Sequence, residues 1–342
     1  SLPAPAAKAE SIEDLESLID ELSTNDQFAG AVLIAKDDDV MFKKAVGLAS
    51  RRFDVPNKLD TKFNIGSMNK MFTAVAVLQL VEQGKLSLDD PLSDFVGSDW
   101  LATKFAKQIQ IQHLLCHTSG LGDYFSDEFW KTSRREFRNL DDFKRLVVTE
   151  KLAFEPGTRQ EYSNSGMLLL GVVIEKVSGQ DYCDYVEQHV YKPAGMLNSG
   201  SFEMDKPVPN LAIGYYHEEG EEAEWTNNLF MHTLRGGPAG GGFSTVEDLF
   251  HFSRALVGYK LLNKKHTKML VTPKPNSPDY GFGFELENTP IGRVVGHSGG
   301  FPGIHAKLEI VDSGFTTVVL SNTDRAGMPV LRMLHAIVAS KE

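Results

Sequence analysis

Ser67 and Lys70 stand three residues apart in Ser67-Met68-Asn69-Lys70, at the head of a helical run that lasts to about Gly84. A serine hydroxyl is a weak nucleophile until a neighbouring base takes its proton. On a helix, positions i and i+3 share nearly one face, so a lysine amine there reaches the hydroxyl. The first turn adds free N–H groups and the positive end of the helix dipole, both favourable to developing negative charge. Burial lowers the pKa of a lysine and makes it a usable proton acceptor. Together the two residues can attack a carbonyl and form an acyl-enzyme. Serine is also a good helix N-cap, which offers Ser67 a purely structural role. In a chain with 24 Ser and 23 Lys, about 1.6 Ser-x-x-Lys spacings arise by chance. Ser67 heads the only one, so the pair needs support from elsewhere.

Two further elements supply it. Tyr162-Ser163-Asn164 is the only Tyr-x-Asn in the chain, and it follows a turn signal, Phe154-Glu155-Pro156-Gly157-Thr158. His297-Ser298-Gly299-Gly300 lies between two strand-like runs near the end. Tyrosine titrates near 10 in water, so Tyr162 needs a nearby cation to act as a base, and Lys70 is the obvious one. Gly299 and Gly300 let a substrate approach the backbone closely.

With these three elements in this order the chain resembles the penicillin-recognising serine hydrolases. The likeness is closest to the class C β-lactamases and their esterase and D-peptidase relatives, and runs from about Phe28 to Val338. Leu114 to Leu121, Phe154 to Gly157 and Ala239 to Leu249 add to it. The resemblance implies Ser67 as nucleophile, with Lys70 and Tyr162 sharing the proton work. It implies Asn164 bonding Lys70 or the substrate, and the N–H groups of Ser67 and Gly300 as an oxyanion hole. His297, Ser298, Gly299 and Tyr124 would line the substrate cleft. One departure bears on substrate: family β-lactamases usually carry Lys where this chain has His297. A mostly neutral histidine attracts a penicillin carboxylate less than a permanent cation does. Arg235 is another residue able to supply that charge.

Composition excludes several classes. A net charge of −11 leaves no basic excess to neutralise phosphates, which argues against nucleic acid as a partner. No apolar run reaches the roughly 18 residues a membrane helix needs. Two cysteines, Cys116 and Cys183, are too few for a disulfide scaffold and read as buried thiols. The Ala/Pro-rich start, 1–10, reads as a flexible leader left after processing, in keeping with a periplasmic or secreted protein.

The positioning elements read as an α+β chain. Ile12, Leu15, Leu18, Ile19 and Leu22 form a helix stripe capped by Ser11 with Asp14. Ala29–Ala35 and Val40–Leu48 are strands about a polar Asp37-Asp38-Asp39 tip. From Ser67 the pattern is mainly helical: Ser67–Gln83, Ile111–His117, Leu140–Glu150, Ser165–Val177 and Asp181–Val190. Strands return at Tyr280–Leu286, Gly292–His297, Ile304–Val311 and Phe315–Ser321, and Met328–Ala339 closes as a helix. One antiparallel sheet flanked by helices, from about 11–66 and 235–342, would sit beside a mainly helical lobe, about 67–234. The resemblance implies a single β-lactamase/transpeptidase-like domain over 11–342, with its ligand cleft expected between the lobes.

Other stretches read as structural. His113 and His117 have i, i+4 spacing, but no third or fourth ligand is evident, so no metal is implied. Gly236 to Gly242 lacks a following Gly-Lys-Ser/Thr and reads as a cleft wall rather than a phosphate loop. Ser244 with Glu247 reads as a capping box, and Glu218–Glu222 as a solvated turn.

The expected activity is therefore hydrolysis of small esters or amides without metal or organic cofactor. Esterase, D-stereospecific peptidase and β-lactamase remain open, and nothing in the residues sets an oligomeric state. The contrasting possibility is a non-catalytic sensor or scaffold on the same fold, which would not require Ser67, Lys70 and Tyr162 together.

Overall fold

Ala31, Leu33 and Ala35 alternate with Val32 and Ile34, and all five are fully buried, so this stretch is covered on both faces. They lie on β1 (Gly30–Lys36), which forms a hairpin with β2 (Asp39–Val46). The other strands come from the far end of the chain: β3 (Glu285–Thr289), β4 (Gly292–Phe301), β5 (Ile304–Val311) and β6 (Phe315–Ser321). Together they make one antiparallel sheet in the order β2-β1-β6-β5-β4-β3. The computed structural model describes residues 10–218, 224–324 and 326–341. The start of the expected leader, 1–9, and Glu219–Glu222 of the acidic turn lie outside these residues.

Each face of the sheet has its own core. Val32, Ile34 and Val319 pack with Leu15 and Ile19 of α1 (Ile12–Thr24) and Leu334 and Ile337 of the closing helix, Met328–Ala339. Ala31, Leu33, Leu308 and Leu320 join the larger core on the other face. Its centre is α2 (Asn69–Glu82), apolar all round and buried along nearly its whole length. Each fully buried Leu, Ile or Phe here contributes about 1.5–3 kcal/mol. Against α2 packs α3 (Asn164–Ser178), capped by the Ser163 hydroxyl, which accepts from Gly166 N.

The Ser11–Asp14 capping box of α1 forms as the stripe predicts. Three expectations are corrected. Ser67 does not cap α2; it sits in a single 3-10 turn, Gly66–Met68, which leads into the helix. The helix Val246–Val257 is capped by Thr245, whose hydroxyl accepts from Asp248 N, while Ser244 is a strand residue bonded to Ser199. Tyr280–Phe284 is not strand: Phe282 N and Gly283 N donate to Leu270 and Leu115 carbonyls, which bends the chain before β3 begins. Cys116 is buried and Cys183 half-buried, both free thiols. No helix among the described residues is long and apolar enough to cross a membrane.

Candidate active site

Lys70 is fully buried in the apolar first turn of α2. Its Nζ lies 3.0 Å from Ser67 Oγ, 2.8 Å from Asn164 Oδ1 and 2.6 Å from the Ala239 carbonyl. Burial pushes its pKa down to about 7, with Asp123 and Glu285 opposing. Asn164 Oδ1 and the Ala239 carbonyl can only accept, so they take two N–H groups. The third position of Nζ faces Ser67 Oγ, donating to it as the ammonium and presenting a lone pair to its hydroxyl as the neutral amine.

Asn164 is oriented in turn. Its Nδ2 donates to Asp123 Oδ2 at 2.7 Å, which fixes Oδ1 toward Lys70. Ala239 is held by the glycine-rich loop, which packs onto α2 as a wall. Asn69 Nδ2 donates to Gly237 O at 2.9 Å, and Thr73 Oγ1 to Pro238 O at 2.8 Å. A Cβ on Gly242 would lie 2.6 Å from Asn69 Oδ1, so only glycine admits this docking.

Lys70 Nζ sits 4.6 Å above the Tyr162 ring centroid rather than at its hydroxyl, and Ser67 lies near enough to that hydroxyl to ease its ionisation. Although the residue is 43% exposed, crowding pushes its ionisation upward, with Glu285 and Asp123 adding to the shift. Burial therefore works against Tyr162 as a base in the resting site and brings Lys70 nearer neutrality.

The His297 segment lies inside β4, paired with β5 so that Gly299 faces Ala306 and Gly300 faces His305. A Cβ on Gly299 would lie 2.0 Å from the Ile65 carbonyl. Glycine here therefore serves the approach of β4 to the turn that carries Ser67, rather than the approach of a substrate. At Gly300 a Cβ would meet nothing within 4 Å, and Gly300 opens into the same cleft as Ser67.

His297 itself is 1% exposed. Its Nδ1 donates to the Ser298 carbonyl at 2.6 Å, which leaves Nε2 to accept from Tyr280 Oη at 2.8 Å. Burial pushes the ring down to about 4, against Glu285 and helped by Lys70, so it is neutral at pH 7. Both nitrogens are used inside the protein, which differs from the expectation of a donor free for substrate. The Ser298 hydroxyl is likewise engaged, donating to Glu285, which also accepts from Lys307 at 2.9 Å. Burial alone would raise Glu285; His297, Lys307 and Ser298 instead hold it below the usual carboxylate range.

The cleft over Ser67 has a volume of about 80 Å³ and is open to solvent. Its wall includes Tyr124, Phe125, Phe129 and Phe301, with Trp130 stacked on Phe301 at the rim. His232 also lines it and is neutral, pushed down to about 4 by burial. None of the lining side chains carries a permanent charge. Arg235 lies elsewhere, bonded to the Ser201 carbonyl and to Asp181. Ser67, Asn164, Tyr124 and Gly300 thus meet at the cleft, while His297, Ser298 and Gly299 lie outside its lining.

Sequence reasoning missed Asp123, Ala239, Tyr280 and Glu285. Asp123 precedes the named Tyr124, and Glu285 alternates with Glu287 on an edge strand; neither signal marks a site without the fold. His113 and His117 do not share a ligand. His113 Nδ1 accepts from Gln110 N, and His117 Nδ1 from Ser163 N.

A family model described as Beta-lactamase matches residues 15–340. The chain belongs to the β-lactamase family. Among the relatives of this β-lactamase-family chain, "Penicillin-binding protein 4*" of Bacillus subtilis is 32% identical over 91% of this chain and 71% of that protein. Esterase EstB of Burkholderia gladioli is 32% identical over 63% of this chain and 57% of that one. The crystal structure of a penicillin-binding protein from Bacillus halodurans superposes with a TM-score of 0.86 at 34% identity. It covers 94% of this chain and 98% of the other. The antiparallel sheet with flanking helices is therefore the fold of the β-lactamase family, and hydrolase chemistry is its family-level activity.

Proposed function

We propose that this protein is a serine hydrolase that cleaves small apolar esters or amides through an acyl-enzyme on Ser67. The observation that carries the reading is the contact of Ser67 Oγ, at 3.0 Å, with a buried Lys70 whose pKa is pushed down to about 7. A neutral amine accepts the Ser67 proton as Oγ attacks the substrate carbonyl. The N–H groups of Ser67 and Gly300 face the developing oxyanion. The protonated Tyr162 hydroxyl gives its proton to the leaving oxygen or nitrogen, and the proton that Lys70 took from Ser67 returns to the solvent-exposed Tyr162 through water. Water then repeats the sequence in reverse, releasing the acid and free Ser67.

The cleft supports the substrate class. Its aromatic wall suits an apolar acyl group, and it offers no permanent cation to hold a carboxylate. The esterase and penicillin-binding names among the relatives agree with ester or amide cleavage. The test is a panel of p-nitrophenyl esters and amino acid p-nitroanilides with apolar acyl groups, run on wild type and Ser67→Ala. Turnover is expected for wild type alone. No turnover of any member, or equal turnover by both proteins, overturns the reading.

A further inference from the structure

His117 lies beneath this site in a position that no catalytic role explains. It is fully buried and adopts a left-handed backbone, with φ +59°. Two bonds tie it to either side of Tyr162: Glu161 N donates to the His117 carbonyl at 2.8 Å, and Ser163 N to His117 Nδ1 at 3.2 Å. Between those bonds the imidazole packs on the Tyr162 ring, with centroids 4.4 Å apart. The same imidazole contacts the Tyr280 ring at 4.6 Å, and Tyr280 is anchored through its hydroxyl to His297.

The bonding fixes the tautomer. Nδ1 accepts an N–H, so the proton is on Nε2, and Nε2 is buried with no hydrogen-bond partner among the described residues. A buried unpartnered donor is destabilising, and with the left-handed backbone it is a burden a filler residue would not need.

We infer that His117 is a positioning residue that holds Tyr162 against Ser67, and so governs proton delivery to the leaving group. The inference rests on the serine-hydrolase reading above. It also relates the buried Tyr280–His297 pair to the reaction, as the far support of one stack: Tyr162, His117, Tyr280. Burial holds the His117 ring well below its ordinary pKa.

A displaced Tyr162 harms only those substrates that need its proton. Ethoxide must be protonated to leave, whereas p-nitrophenolate leaves without a proton at neutral pH. The experiment compares kcat/KM, which reports acylation, for ethyl butyrate and p-nitrophenyl butyrate. His117→Asn is the main variant, because asparagine tolerates the left-handed backbone. It is expected to lose about 100-fold on the ethyl ester, the scale of general-acid catalysis, and less than about tenfold on the p-nitrophenyl ester. Tyr162→Phe should show the same split, and the double variant should be no worse than Tyr162→Phe alone. Equal losses on both esters, or losses that multiply in the double variant, overturn the inference.

A second measurement needs no variant. In wild type, the ring nitrogens of His117 should report the Nε2–H tautomer, and phosphonylation of Ser67 should shift them as Tyr162 loses its hydroxyl partner. Unchanged nitrogen resonances overturn the inference. Turnover by Ser67→Ala would instead remove the hydrolase reading itself, so the two failures are distinguishable.

Discussion

Replacing Lys70 with methionine tests the site through stability as well as rate. Lys70 is pushed down to about 7 in the folded chain from an ordinary 10.5. Between these two values the unfolded chain holds a proton that the folded one has released. Stability contributed by this group therefore rises with pH across that window and is flat below about pH 7. Each pH unit inside the window adds about 1.36 kcal/mol. From pH 7 to 9, starting where the group is half titrated, wild type should gain about 2.3 kcal/mol relative to Lys70→Met. The absolute order of the two proteins is not the test. The substitution removes a buried charge but leaves Asn164 Oδ1 and the Ala239 carbonyl without their donor, at about 1–3 kcal/mol each. The slope isolates the titration. Urea unfolding of both proteins at pH 6, 7, 8 and 9 measures it. The same amine should make wild-type kcat/KM rise through about pH 7, while Lys70→Met is inactive throughout. Parallel stability profiles would mean that Lys70 titrates normally in the fold, and the proposed base would be lost.

Four further outcomes are expected. Gly299→Ala places a Cβ 2.0 Å from the Ile65 carbonyl and should cost about 1–3 kcal/mol of stability along with activity. Gly300→Ala, which meets nothing, should keep the melting temperature and lose turnover as its methyl enters the cleft; thermal melts and ester kinetics check both. Asp123→Asn removes a carboxylate that raises Lys70, so the acid limb of the pH–rate profile should move to lower pH. Short-chain p-nitrophenyl esters should be cleaved faster than nitrocefin. The uncharged cleft forfeits a charge-assisted contact to the β-lactam carboxylate of about 1.5–3 kcal/mol, or one to two decades in kcat/KM. Equal or faster nitrocefin cleavage would refute that estimate.

Much of the fold is legible in local pattern. The short, continuous apolar run Ala31 to Ala35 marks a strand, and the stripe from Ile12 to Leu22 marks a capped helix, because such patterns and capping are local properties. Phe315–Ser321 and Met328–Ala339 fall where the residues predict. Tyr280–Phe284 misleads because its aromatic, β-rich composition matches a strand while tertiary bonds to Leu115 and Leu270 bend it.

The site divides the same way. Ser67, Lys70, Tyr162 and Asn164 are visible because their motifs occur together with His297-Ser298-Gly299-Gly300 in one order along the chain. Asp123, Ala239 and Glu285 are not, because they act through contacts between residues distant in the chain. His297 shows the limit most clearly. Its place beside Ser298 and Gly299 is plain in the sequence, but that its ring is consumed by Tyr280 and a backbone carbonyl emerges only from the packing.

The most direct test of the central claim is intact-mass and peptide mapping after incubation with a fluorophosphonate. A single adduct on Ser67, absent in Ser67→Ala, is the predicted result. Labelling at another residue, or no label while ester turnover persists in Ser67→Ala, would contradict the account.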